Sequence, residues 1–164
     1  MDFDQDISFI KDRQLFRLRA AAVIIHDDKL LMAWNIKDDH YYSIGGAVRL
    51  GESLEAAVTR EVCEECGIEM KIDRLLAVHQ NFVHDLKGYD WHEISFYYLM
   101  DSDSVKDWSR LGIHKSQNMY GVEEGVAWLA IDQYEKAKAY PLFFKDIRQI
   151  MMEDGPLMLV TKDL

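Results

Sequence analysis

Apolar and polar positions follow two rhythms along this chain. Phe16–Ile25 reads FRLRAAAVII and predicts a strand, Asp27-Asp28 a turn, and Leu30–Trp34 a second strand closing a hairpin. Tyr41–Ile44 predicts a short strand ended by Gly45-Gly46. From Ser53 the rhythm becomes helical, with Val58, Val62 and Cys66 forming an apolar arc. Ser53 suits the N-cap, Glu55 the first turn and Gly67 the left-handed C-cap, so a helix is expected to about Cys66. Lys71–His84 and Trp91–Met100 are rich in β-branched and aromatic residues, and Gly88 between them predicts a long hairpin. Gly125–Ile131 reads as a strand, Gln133–Ala139 and Leu142–Met152 as helices, and Leu157–Val160 as a strand or tail. Residues 101–120 are polar and irregular, with a short helix around Ser104–Leu111, and residues 1–14 form an N-terminal extension of unassigned order. Strands mixed with helices predict an α/β (α+β) sandwich over residues 1–164, a single domain with helices covering a mixed sheet.

Composition narrows what such a domain does. Twenty-nine acidic against nineteen basic residues give a net charge of −10, which argues against broad nucleic-acid or anionic-membrane partners. A small phosphate ligand stays compatible, because a bound cation inverts the local field. MDFDQDISFI is neither a signal peptide nor a membrane span. Two cysteines three residues apart make no disulfide framework, so a reducing cytoplasm is expected.

The chemistry concentrates between Gly51 and Met70, where glutamates stand at 52, 55, 61, 64, 65 and 69 with Arg60 as the one basic residue. Glu61, Glu64 and Glu65 fall at i, i+3 and i+4 and share a helix face beside the apolar arc. A solvated acidic face would interleave Lys and Arg at i+4, and this one does not. Two carboxylates about 5.5 Å apart repel by roughly 3 kcal/mol at an effective dielectric of 20, so the cluster calls for a divalent cation. Oxygen ligands without His or Cys point to Mg²⁺, with Mn²⁺ possible, over Zn²⁺.

Read from Gly46, the segment is GAVRLGESLEAAVTREVCEECGI. It resembles the Nudix box over residues 46–68, with Gly46, Glu52, Arg60, Glu61, Val62, Glu64, Glu65, Gly67 and Ile68 in place. Seven fixed positions coincide by chance about once in 10⁸ windows. Weaker resemblance extends through GVAWLAIDQY, so Phe16 to Met152 is consistent with the Nudix α/β/α sandwich.

The resemblance implies a hydrolase in which metal-activated water cleaves the diphosphate bond of a nucleoside diphosphate linked to another moiety. It implies that Glu61, Glu64 and Glu65, with the Gly46 carbonyl, hold the metal, and that Arg60 pairs with Glu52 to position the helix. The general base varies within the family; Glu64 is the first candidate, Glu123 and Glu124 the second. Arg49 and Arg19 are candidate phosphate contacts, with Glu124 beside the substrate. Arg17 is a lesser candidate, and His79, His84, His92 and the aromatics Trp34, Tyr41 and Tyr42 read first as structural. Cys63 and Cys66 form a CxxC near the helix C-terminus, where the dipole disfavours thiolate, so ordinary helix positions are expected.

The rival reading is a Nudix-fold module that binds or senses a nucleotide without cleaving it. Such modules usually lose box glutamates, and this chain keeps all of them. Secondary marks leave the substrate open. The proline expected of ADP-ribose hydrolases is replaced around Phe82-Val83, Asp85 stands near the tyrosine position of the dinucleoside polyphosphate group, and the coenzyme A signature is not seen. The extension and exposed strands make a homodimer an expected arrangement.

Overall fold

The computed structural model describes residues 4–35, 37, 39–112, 116–117 and 123–163. In chain order the elements are β1 (Ser8–Lys11), β2 (Gln14–Val23), β3 (Ile25–His26), β4 (Lys29–Asn35), β5 (His40–Ser43) and β6 (Gly45–Ala47). There follow α1 (Leu54–Cys66), β7 (Lys71–His84), β8 (Asp90–Asp101), β9 (Ser116–Gln117), β10 (Glu123–Ala130), β11 (Ala139–Tyr140), α2 (Ile147–Ile150) and β12 (Leu157–Asp163). The β3–β4 hairpin turns on Asp27 and Asp28, whose φ values of 47° and 61° are left-handed; among non-glycine residues Asp is one of the few that tolerates this.

Two mixed sheets result. The first runs β1-β2-β8-β7-β12, with β6 paired to β2; the second runs β11-β5-β4-β10-β9, with β3 on β4. The β2–β8, β7–β12 and β5–β11 pairs are parallel. Alternation along β2 divides its side chains between two cores. Ala20 and Ala22 pack with Ala57, Val58, Val62 and Cys66 of α1, while Ala21 and Val23 pack with Tyr97, Phe144 and Ile147 on the other side. The first sheet is therefore the middle layer of an α/β/α arrangement, and burying Val58 and Val62 contributes about 1.5–3 kcal/mol each.

Several expectations are corrected. The helices read at Gln133–Ala139 and Leu142–Met152 are mostly 3₁₀: Ile131–Lys136, then Leu142–Asp146 leading into the four-residue α2. The buried residues there are Ile131 and Tyr134, then Phe144, Ile147 and Ile150, a spacing of three that a three-residue turn stacks on one side. Around Ser104–Leu111 there are only 3₁₀ turns at Ser102–Ser104 and Trp108–Arg110; residues 113–115 and 118–122 lie outside the described residues. β5 ends at Ser43, just before the glycines as expected, but Gly45-Gly46 then opens a further strand, β6, in the other sheet. Within the N-terminal extension, β1 adds an antiparallel strand to β2. Among the described residues, no helix is long and apolar enough to cross a membrane.

Candidate active site

The site is the seam where α1 crosses β2 and β6. Ser53 caps α1 by accepting from the Ala56 N–H at 3.1 Å, and Gly67 ends it at φ 75°, donating to the Cys63 carbonyl at 3.0 Å. Two glycines permit close approach, Gly45 to β2 and Gly46 to the helix. A Cβ on Gly45 would lie 2.4 Å from the Ala20 carbonyl oxygen, and one on Gly46 would lie 2.5 Å from Glu61 Oε1. The Glu61 carboxylate therefore rests directly on the Gly46 backbone.

Arg60 organises the acidic face. Its Nε donates to Glu52 Oε1 at 2.8 Å and its Nη2 to Glu52 Oε2 at 3.0 Å and to the Ala47 carbonyl at 3.1 Å. Its Nη1 reaches Glu61 Oε1 at 2.5 Å and Glu64 Oε2 at 3.2 Å. Glu52 also accepts from the Arg49 backbone N–H at 3.0 Å, so the loop entering the helix is tied to the same carboxylate. The hydrogen bonds from Arg60 hold Glu52 below the usual carboxylate pKa, and those to Glu52 raise the pKa of Arg60.

Glu65 stands apart from that network. Burial, reinforced by the charge of Glu61, pushes its pKa up to about 8 against the opposing pull of Arg19. Glu65 Oε1 accepts from the Gly45 N–H at 3.4 Å, while Oε2 is buried with no hydrogen-bond partner. Burial also raises Glu61, with Arg60 working against it. Glu124 on β10 lies close enough to raise Glu65 further. A cluster of carboxylates with one deep oxygen unsatisfied is costly as it stands, and its all-oxygen donor set suits a hard divalent cation. The carboxylates are not drawn into a ready cage: among the described residues, no three His, Cys, Asp or Glu side chains are grouped to hold a metal. Arg60 sits among them instead.

The other sequence candidates separate by position. Arg49 reaches the site, its guanidinium 3.7 Å from Glu64 Oε1 and 3.5 Å from Asp4 Oδ1. Arg19 is buried; it donates to Ser43 Oγ at 3.0 Å, the Ser43 carbonyl at 2.7 Å and the Gly45 carbonyl at 3.3 Å, bracing β5 and β6 behind the site. Glu123 lies on the exposed start of β10. Cys63 is exposed and Cys66 buried, both as free thiols, and burial pushes the Cys66 thiol up.

Sequence reasoning missed two arrangements. Arg17 pairs with Glu93 on β8, which burial disfavours as an anion yet Arg17 and Arg19 hold below the usual carboxylate value. The alternation of Arg17 and Arg19 hinted at a polar row, but only the parallel β2–β8 register puts Glu93 opposite Arg17. Asp4, in the extension, meets the box through Arg49, and nothing local in the sequence marks that contact.

Comparison with known proteins accords with this geometry. Residues 16–148 match the NUDIX domain. The chain is 29% identical over 131 residues to diphosphoinositol polyphosphate phosphohydrolase 2 from Rattus norvegicus, covering 77% of this chain and 70% of that protein. It is 33% identical over 98 residues to an ADP-ribose pyrophosphatase from Methanocaldococcus jannaschii, 56% of each chain. The crystal structure of the MutT protein from Bacillus halodurans overlays with a TM-score of 0.62 at 16% identity, covering 89% of this chain and 90% of that one, a likeness of fold.

Proposed function

The chain belongs to the Nudix family and is a pyrophosphohydrolase, and from that premise we propose that it cleaves a nucleoside diphosphate linked to another moiety, using Mg²⁺ held by Glu61, Glu64, Glu65 and the Gly46 carbonyl. The observation that carries this reading is Glu65, a deep carboxylate with an unpartnered oxygen beside Glu61. When bound, the cation supplies charge neutralisation for the diphosphate and a lowered pKa for water, and Mn²⁺ would serve in the same place.

The residues of the chain divide the remaining work. Glu52 locks Arg60, and Arg60 fixes the azimuth of Glu61 and Glu64. Among the glutamates paired with Arg60, Glu64 is the most open, its side chain 50% exposed, and we assign it to accept the proton of the attacking water at Oε1. The new bond joins that water oxygen to phosphorus as the anhydride P–O bond breaks, and the leaving phosphate departs toward solvent. Arg49 is our candidate for the phosphate contact, and Glu124 lines the same space. Arg19 has its hydrogen bonds committed to Ser43 and Gly45, which gives it a positioning role behind β6.

Local charge guides the substrate class. Among the described residues, Arg17, Arg19 and Arg60 are already engaged with Glu93, Ser43 and Glu52, which leaves these three with little charge to spare for a molecule carrying many phosphates. That supports one diphosphate linkage and an otherwise neutral, nucleotide-like body, in a cytoplasmic setting that suits two free cysteines. The test is a panel of ADP-ribose, nucleotide sugars, dinucleoside polyphosphates, oxidised nucleoside triphosphates and diphosphoinositol polyphosphates with Mg²⁺, with products identified by mass. Turnover confined to the diphosphoinositol compounds would overturn the substrate class; turnover of none would overturn the hydrolase reading for all five.

A further inference from the structure

The loop that joins Gly46 to Glu52 is clamped from outside by the N-terminal segment. The Ile7 N–H donates to the Val48 carbonyl at 2.7 Å, the Leu50 N–H to the Gln5 carbonyl at 2.7 Å, and the backbones of Asp6 and Arg49 form an isolated antiparallel β-bridge. On its inner side the loop is held to β2, the Val48 N–H donating to the Leu18 carbonyl at 3.0 Å. The backbone of Arg49 is thus fixed on both flanks, while its guanidinium is not. It is 34% exposed and hangs between Asp4 at 3.5 Å and Glu64 at 3.7 Å. Arg60 contrasts with it, being 17% exposed and tied to Glu52 at 2.8 Å.

We propose that Arg49 is an internal counter-cation that shields Glu64 until a divalent cation arrives, and that Asp4 is a positioning residue, the alternative berth that draws Arg49 off Glu64. This rests on the divalent-cation reading of the box. The two contacts are long and reach opposite ends of one planar guanidinium, so a small rotation of the side chain trades one carboxylate for the other. Asp4 is 77% exposed, and among the described residues its ion pair is with Arg49, the partner through which it acts. Residues 4–7 would then set how readily the acidic site gives up its own positive charge.

The test measures Mn²⁺ binding to the full chain by the electron paramagnetic resonance signal of free Mn²⁺, with no substrate present. Asp4→Asn removes the berth, so Arg49 leans on Glu64 and Mn²⁺ binds more weakly, by about two- to fivefold, as befits an exposed ion pair. Arg49→Gln removes the competitor and tightens binding by a similar factor. In the Arg49→Gln background, Asp4→Asn then changes nothing, because Asp4 acts only through Arg49. Asp4→Glu keeps the parent affinity. Equal loss from Asp4→Asn with and without Arg49 would overturn the proposal in favour of a general effect of the segment on folding or charge. Parent binding with no response to Asp4→Asn would overturn it alone, whereas a parent that binds no Mn²⁺ would remove the cation reading and this inference with it.

Discussion

Arg60 and Arg148 do the same job in two settings: each draws together carboxylates from separate turns of the chain. Arg148 Nε meets Asp28 Oδ1 at 3.1 Å and its Nη1 meets Asp132 Oδ1 at 2.8 Å, joining the β3–β4 turn to α2 and the 3₁₀ turn at Ile131–Lys136. Its side chain is 48% exposed and the two aspartates are 64% and 72% exposed, so water solvates whatever the arginine does not. Arg60 is 17% exposed and holds Glu52 and Glu61, at 14% and 12%, with Glu65 Oε2 buried and unsatisfied nearby. An acidic group around an arginine is a surface tie in the first case. In the second the carboxylates are kept from water and outnumber the arginine that pairs with them, and that difference marks the candidate site.

The largest effect that would sharpen this contrast is on turnover. Glu64→Gln and Glu65→Gln should each lower kcat by about a hundredfold or more with the fold intact, because they remove a proton acceptor or a cation ligand. Asp132→Asn, which neutralises the exposed cluster, should leave kcat unchanged. Steady-state kinetics with circular dichroism decides it, and full activity in the Glu64→Gln/Glu65→Gln double variant would break the assignment.

Arg60→Ala comes next. It strands Glu52 and Glu61 in a half-buried seam, so stability should fall by about 2–3 kcal/mol in urea titrations, together with activity. A variant of unchanged stability would mean that the Glu52 pair is no more than a surface contact.

A smaller effect appears in pH dependence. The folded pKa of Glu65 is raised from 4.5 to about 8, so the metal-free native state retains a proton that the unfolded chain has released. Its stabilising contribution is complete below the unfolded value and is lost as pH rises through that window. Urea midpoints of the metal-free parent should therefore fall between about pH 5 and pH 8 relative to Glu65→Gln, which does not titrate. Parallel curves would place the Glu65 carboxylate in solvent. The smallest expected change is for Arg148→Ala, whose slight drop in Tm should vanish in about 0.5 M NaCl, where exposed pairs are screened.

What could be read from the chain tracks how local the cause is. Ser53, Gly67 and the Val58–Val62–Cys66 arc lie within one helix, so α1 appears as expected, caps included. Glu52 and Arg60 are eight residues apart, and their pair forms as the motif implied. β7 and β8 surround one turn at Gly88, whose φ of 82° explains the glycine. The rest was hidden by short-range ambiguity or by partners distant in the chain. Apolar positions spaced by three at 144, 147 and 150 fit an α-helix or a 3₁₀ turn equally over so short a span. Arg19 reads as a candidate phosphate contact because its partner Ser43 lies on another sheet, and the order of the extension stays unassigned from sequence because its pairing needs β2 and the 48–50 loop in place.

The central claim, that the box glutamates form a site for a divalent cation and not a solvated acidic face, is tested most directly by melting curves in EDTA, in MgCl₂ and in NaCl of matched ionic strength. A cation that binds only the folded site stabilises by about 2.7 kcal/mol at a hundredfold excess over its Kd. For a domain of this size that raises Tm by roughly 5–10 °C. The account predicts such a rise with MgCl₂, little with NaCl, and a reduced rise in Glu64→Gln. Equal shifts in MgCl₂ and NaCl would contradict it.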